Sequence, residues 1–372
     1  MPAATHSPAP VSFPFSRIVT DAAHCPDADA LAYPVTRHAD QVDDYHGTSI
    51  ADPFRWLEDD TAEETKAWVR AQNEVTFDYL RHIPFREKLR DRMTRLVNYP
   101  RVSAPETKQR WRLFTRNDGL QNQAVYYLQD GDHGEPIVLL DPNTMSDDGT
   151  TRVAGLTFDG AGTRIAYMVS GAGSDWQQIR VIDLATRQDL PDRIEWVKVS
   201  ALAWFGDGFF YSRYPEPDNT AAAYSSMNED HQVFYHAIGT AQADDQLIYR
   251  DADNPQRFHH VTTTDDERFA VLYISDRGKG KDGSALLVRD LHLPDCTFQP
   301  VWPEFDDDMV VLDNVGDALL VATNRAAPNR RVVLIDPRSP EESHWKTILP
   351  EREEPLDAVA TAAGRLFASY LH

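Results

Sequence analysis

The chain has 372 residues, 41% of them apolar and 26% charged, which is enough to bury a sizeable core and argues against wholesale disorder. Lys and Arg number 37 against 59 Asp and Glu, a formal charge of −22, which argues against nucleic acid and anionic membrane surfaces, since both require a basic face. The two cysteines, Cys25 and Cys296, exclude a disulfide framework and a CxxC metal site, and the simplest compartment is the cytoplasm.

Residues 1–32 are rich in Ala, Pro and Asp, carry no period and are expected to form a disordered tail. They lack the basic stretch followed by an apolar one that marks a secretory leader. Helical signals occupy the segment 33–98. Thr61 and Glu64 have capping-box spacing, and Trp68, Ala71, Gln72, Val75 and Tyr79 fall on one helical face. Ile83-Pro84 ends this helix. A second runs from Phe85 to Val97 with Leu89, Met93, Leu96 and Val97 apolar, and Tyr99-Pro100 ends it. Trp68, Val75 and Tyr79 are expected to be poorly covered, because their face lies outside the repeats that follow.

After Pro100 short runs of Val, Ile, Tyr and Phe alternate with clusters of Asp, Gly, Asn and Pro, the pattern of an all-β region. An apolar strand core recurs at Phe114, Ala166, Phe210, Val271, Leu320 and Phe367, at spacings of 44 to 61 residues. Turn residues precede most of these positions, as in Asp159-Gly160, Gly206-Asp207-Gly208 and Asp265-Asp266. A second strand follows at a regular offset, as in residues 124–128, 179–183, 233–236, 286–289 and 332–336. A four-stranded unit repeating every ~40–50 residues is the signature of a propeller blade. The expected fold is therefore mainly β, an incomplete β-propeller over residues 99–372. Five blades are complete, and a sixth begins near Asp357 and reaches only its second strand at His372. A propeller stopping there leaves an open edge, and the chain reads as truncated. The longest apolar runs, such as Phe269 to Ile274, fall far short of the ~20 residues that span a bilayer.

Few motifs carry chemistry. Gly47-Thr48-Ser49-Ile50-Ala51 approaches a nucleophile elbow but lacks a strand before it and a helix after it, so it reads as a polar turn. Gly278-Lys279-Gly280-Lys281-Asp282-Gly283 matches a dinucleotide fingerprint letter for letter, yet a β-like run follows where a helix is needed, so it reads as a hairpin loop. His259 and His260 are adjacent and point to opposite faces of a strand. His231 and His236 show no carboxylate partners at ligand spacing, Asp306-Asp307-Asp308 reads as a solvated loop, and Asp141-Pro142-Asn143 lacks the Gly and Glu of a calcium loop. No metal and no cofactor is expected, and neither Cys25 nor Cys296 has the basic surroundings of a nucleophile.

Several segments in order resemble the prolyl oligopeptidase family. They are Val42-Asp43-Asp44-Tyr45-His46-Gly47, Asp52-Pro53-Phe54-Arg55-Trp56-Leu57-Glu58 and Gln72-Asn73. Gly119-Leu120-Gln121-Asn122-Gln123, Leu140-Asp141-Pro142-Asn143, Ser146-Asp147-Asp148-Gly149-Thr150 and Ser174-Asp175-Trp176 continue the series. The resemblance covers about Tyr33 to His372. It implies a serine endopeptidase that cleaves short peptides after proline. It also implies a seven-bladed propeller over a C-terminal α/β-hydrolase domain that supplies the Ser, Asp and His of the triad. That domain is missing from this chain, so no catalytic residue is assigned and the chain alone is expected to be inactive. The helical segment would pack on the hydrolase domain. By the match of Gly208-Phe209-Phe210-Tyr211 to the family's propeller, Phe210 is the candidate contact for the substrate's proline, with ordinary blade core as the competing role. An Arg and a Cys that the family draws from its fourth-blade region have no convincing counterpart in Ser275-Asp276-Arg277-Gly278. Two other readings remain open at this point: a stand-alone propeller that binds protein through its rim, and a five-bladed glycosidase with two carboxylates at a central pore.

Overall fold

The structure is a computed structural model that describes residues 31–171, 173–217, 228–276, 283–294 and 296–372. The chain folds as two compact units, with the boundary between Asn98 and Tyr99.

The first unit opens with a hairpin of β1 (Val42–Tyr45) and β2 (Thr48–Ala51). Its two-residue turn has both φ angles positive, 55° at His46 and 88° at Gly47, the geometry that matches strand twist. A 3-10 turn at Arg55–Glu58 leads to α1 (Glu63–Arg81) and α2 (Arg86–Val97). The start of α1 differs from the capping-box expectation. Ala62 occupies the N-cap position, and the Asp59 carboxylate accepts from Ala62 N (3.0 Å), Thr61 N (3.1 Å) and Thr61 Oγ1 (2.7 Å). Glu64 instead pairs with Arg37 at 2.6 Å, a charge-assisted bond that a backbone N–H does not match. Thr65 is the one buried residue of α1; Trp68, Val75 and Tyr79 are each only half-buried, with the Trp68 indole N–H donating to Thr36 Oγ1. On α2, Leu89, Met93 and Leu96 are 52–56% exposed.

The second unit is a series of antiparallel sheets in chain order. The first joins β3 (Arg101–Val102) and β4 (Glu106–Lys108) to β5 (Trp111–Asn117), then β6 (Val125–Asp130) and β7 (Ile137–Leu140). The second comprises β8 (Arg152–Phe158), β9 (Arg164–Ser170), β10 (Gln177–Asp183) and β11 (Gln188–Val197). The third comprises β12 (Ala203–Phe205), β13 (Gly208–Arg213), β14 (Gln232–Ala237) and β15 (Gln246–Arg250). One backbone pairing, Val197 with Arg213, links the second sheet to the third. The fourth is β16 (Phe258–Thr263), β17 (Phe269–Ser275), β18 (Ser284–Asp290) and β19 (Gln299–Trp302). The fifth is β20 (Met309–Val315), β21 (Ala318–Thr323), β22 (Arg331–Ile335) and β23 (Lys346–Leu349). A pair, β24 (Leu356–Ala362) and β25 (Arg365–Tyr370), follows. Five complete units and two further strands match the repeat read from the sequence.

The alternation of side chains explains why the sheets stack. Successive residues of a strand point to opposite faces. In β9, Ile165, Tyr167 and Val169 pack with Leu113, Leu128 and Leu140 of the first sheet, while Ala166 and Met168 pack with Trp204, Phe209 and Tyr211 of the third. In β17, Ala270, Leu272 and Ile274 meet Phe210 and Val233 of the third sheet, while Phe269, Val271 and Tyr273 meet Leu319, Val321 and Val333 of the fifth. Each central strand is thus buried on both faces, which is why it reads as a continuous apolar run. Polar ties cross the same junctions. Trp111 Nε1 donates to Gly162 O (2.9 Å), Trp204 Nε1 to Thr157 O (3.2 Å), and Val311 N to the Tyr273 hydroxyl (2.9 Å).

Candidate functional site

The segment Gly208-Phe209-Phe210-Tyr211 lies in β13, where every side chain but the last, Arg213, is buried. Gly208 has to be glycine. A Cβ there would sit 2.2 Å from the carbonyl oxygen of His236 and 2.6 Å from the Tyr235 hydroxyl, so the close approach of β13 to β14 depends on its absence. Phe209 faces the second sheet and Phe210 the fourth, as strand alternation requires. The Phe210 ring is 2% exposed. It stacks on Phe205 at 6.3 Å and meets Tyr235 edge-on at 5.2 Å, and the Tyr235 hydroxyl donates to Phe205 O. These contacts place Phe210 in the core between the third and fourth sheets.

Beside it, Tyr211 donates to Asp245 Oδ2 at 2.6 Å, and burial followed by that carboxylate pushes its phenol well above the ordinary range. His236, one register pair from Phe210, has Asp245 Oδ1 at 2.7 Å from Nδ1 and Asp192 Oδ1 at 3.0 Å from Nε2. Sequence reading finds no carboxylate partner for His236. Asp192 lies 44 residues earlier, on the fourth strand of the second sheet, and only the packing of the sheets brings it to His236.

The other nominated residues fall as follows. Ser49 is exposed on β2, paired with Asp44 across a hairpin, with neither the buried strand nor the helix of an elbow. Residues 277–282 of the glycine motif lie outside the described residues. The strands flanking them, β17 and β18, are paired antiparallel from Phe269–Asp290 to Ser275–Ser284. His259 and His260 do point to opposite faces. His259 stacks 5.9 Å from His231, and His260 stacks 4.7 Å from Tyr273. His231 Nδ1 accepts from His259 N (2.9 Å), and its Nε2 lies 2.9 Å from Lys198 O. Burial, with the two neighbouring histidines, pushes its pKa down to about 4 despite the Lys198 carbonyl. Asp307 and Asp308 are paired with Arg325 and Arg330. Among the described residues no group of three or more His, Cys, Asp or Glu could hold a metal ion, and no helix is long and apolar enough to cross a membrane. Cys25 lies outside the described residues.

Residues 33–372 match the family model of the prolyl oligopeptidase N-terminal β-propeller domain. The chain is 39% identical over 346 residues to a prolyl endopeptidase of Elizabethkingia meningoseptica, a match covering 93% of this chain and 48% of that protein. It is 32% identical to prolyl oligopeptidase A of Amanita bisporigera, covering 86% of this chain and 46% of that one. Among solved structures, a prolyl endopeptidase superposes with a TM-score of 0.80 at 28% identity, over 91% of this chain and 50% of that one. Prolyl oligopeptidase B of Galerina marginata bound to a 25-residue macrocyclization substrate gives 0.76 at 27% identity, over 91% and 51%. The chain spans about half the length of the relatives it matches. On the sheet series, the buried β13 segment and the match across 33–372, the chain belongs to the prolyl oligopeptidase family, whose N-terminal β-propeller domain it carries.

Proposed function

We propose that this chain supplies the helical segment and propeller of a serine endopeptidase that cleaves short peptides after proline. The observation that supports this most is the family match over residues 33–372 by a chain half the length of its relatives. In this reading an α/β-hydrolase domain is the partner. It carries the Ser that attacks the prolyl carbonyl, the His that moves the proton and the Asp that orients the His. Residues 33–98 dock on that domain. The half-buried Trp68, Val75 and Tyr79 and the exposed stripe of Leu89, Met93 and Leu96 support this, since uncovered apolar faces mark interaction sites. Residues 99–372 restrict access to small peptides. Phe210 contacts the substrate's proline in this scheme, and the cytoplasm is the compartment.

The test is reconstitution. The purified 372-residue chain should not hydrolyse a chromogenic prolyl peptide above background, and adding the hydrolase half in trans should restore turnover. Catalysis of this class needs Ser, base and oxyanion hole within hydrogen-bond reach of one another. Turnover by the chain alone, abolished by a serine-reactive phosphonate, would overturn the reading and direct attention to Ser49.

A further inference from the structure

His236 is fully buried between two carboxylates from different sheets. The exposures of its side chain and those of Asp192 and Asp245 are 1%, 1% and 0%. Asp192 belongs to β11 of the second sheet; His236 lies on β14 of the third, and Asp245 immediately precedes β15 of that sheet. Each ring nitrogen lies against a carboxylate oxygen, and only the protonated imidazole donates from both. Both carboxylates accept further hydrogen bonds. Asp192 Oδ1 also accepts from Gly239 N (2.6 Å), and Asp245 Oδ2 accepts from the Tyr211 hydroxyl. Asp192 Oδ2 is buried with no partner among the described residues.

We infer that His236 is a proton-held latch between the second and third sheets, closed while the imidazole carries both protons and weakened when it loses one. The groups facing it are few. From β11 comes Asp192, while Arg193 turns to Asp189 (3.1 Å). From β13 come the Phe209 ring at 5.4 Å and Tyr211, with Arg213 acting on the same phenol. From the β14–β15 connection come Gly239 N and Gln242, whose side chain bonds Glu195 N (2.9 Å) and O (3.1 Å) across the junction. Once the proton leaves, one ring nitrogen presents a lone pair to a carboxylate and the ionic tie becomes a repulsion. The Gln242 bonds and the Val197–Arg213 pairing do not titrate, so the junction loosens without parting. Burial works against the imidazolium, but the hydrogen bonds to Asp245 and Asp192 outweigh it and raise the pKa above the ordinary 6.5. A raised folded-state value gives stability that is complete below the unfolded-state pKa and is lost as pH rises through the folded one.

The experiment uses the whole chain. ¹⁵N shifts of labelled histidine should show His236 keeping both ring protons to a higher pH than an exposed histidine does, and hydrogen exchange in segments 192–197 and 236–245 should accelerate as pH rises through that titration, beyond the intrinsic rate. His236→Gln, neutral at every pH, should flatten the alkaline fall in Tm. Asp192→Asn should lower the pH at which His236 loses its proton. A single neutral tautomer of His236 at a pH where exposed histidines still carry both protons, or a wild-type alkaline profile unchanged in His236→Gln, would overturn the latch. The ¹⁵N measurement on the wild-type chain decides the matter even where the variants fold poorly.

Discussion

Truncating Phe210 removes an aromatic ring that packs between Phe205, Tyr235 and the fourth sheet. Phe→Ala in a core costs about 3–5 kcal/mol, so Phe210→Ala should lower Tm by several degrees or more, and Phe210→Leu by less. A proline contact adds a second, separable expectation. In the reconstituted peptidase, Phe210→Leu should raise KM for a prolyl peptide with kcat nearly unchanged, the mark of lost ground-state binding. A lowered Tm with an unaltered KM would leave Phe210 a packing residue alone. The neighbouring Gly208 tolerates no such probe, because any Cβ meets the His236 carbonyl and Tyr235.

The start of α1 shows what a helix takes from its surroundings. Asp59 satisfies the Ala62 and Thr61 N–H groups, and removing such an acceptor leaves those donors to water and weakens the helix start. Asp59→Ala should therefore speed amide exchange across residues 61–66 and lower the melting point of the helical unit, whereas Thr61→Ala should leave both nearly unchanged. A larger effect from Thr61→Ala would restore the capping box. The sequence pattern Thr61-x-x-Glu64 misleads because Arg37, 27 residues away, claims Glu64. The strands are more legible for the converse reason. Phe114, Ala166, Phe210, Val271, Leu320 and Phe367 all prove to be second strands of their units, and the runs at 124–128, 179–183, 233–236, 286–289 and 332–336 mark the third strands. In the inner sheets these two strands are buried on both faces, so their apolar signal is local. Fourth strands, such as β15 (Gln246–Arg250) and β23 (Lys346–Leu349), are exposed along much of their length and leave a weaker trace. The partners of His236 are invisible in the sequence because the chain separation, not the residue types, carries that contact. Phe210 is legible as a strand position, and its core contacts follow from the alternation of β13.

Across the molecule, two buried histidines with opposite shifts bound the stable pH range. His231 accepts the His259 N–H at Nδ1 and must stay neutral to do so. Its pKa falls from 6.5 to about 4, chiefly through burial. A depressed histidine leaves the unfolded chain binding more protons between those values, so stability is complete above 6.5 and declines as pH falls toward 4. The cost approaches about 3 kcal/mol, an order-of-magnitude figure. His231 spans three sheets, with Lys198 after β11 on one side and His259 of β16 on the other. Its protonation therefore strains the second, third and fourth sheets together. Acid titration of Tm should fall more steeply between pH 6.5 and 4 for the wild type than for His231→Asn, which keeps the carboxylates and the burial-lowered His259 and His260 but not this histidine. Equal slopes would remove His231 from the account. With His236 acting on the alkaline side, and His231, His259 and His260 all held low by burial on the acid side, the expected profile is a dome.

Because each sheet buries its faces only against the sheets before and after it, the chain emerging from a ribosome can complete its core one unit at a time. The same arrangement creates an interval of exposure. Phe269 to Ile274 is six apolar residues without charge or proline, and its Phe269, Val271 and Tyr273 face stays bare until Leu319, Val321 and Val333 have been synthesised about 50 to 60 residues later. During that interval the strand is a template for pairing with another nascent chain. The flanking Asp265, Asp266, Glu267 and Arg268 on one side and Asp276 on the other act as gatekeepers that oppose such pairing by charge.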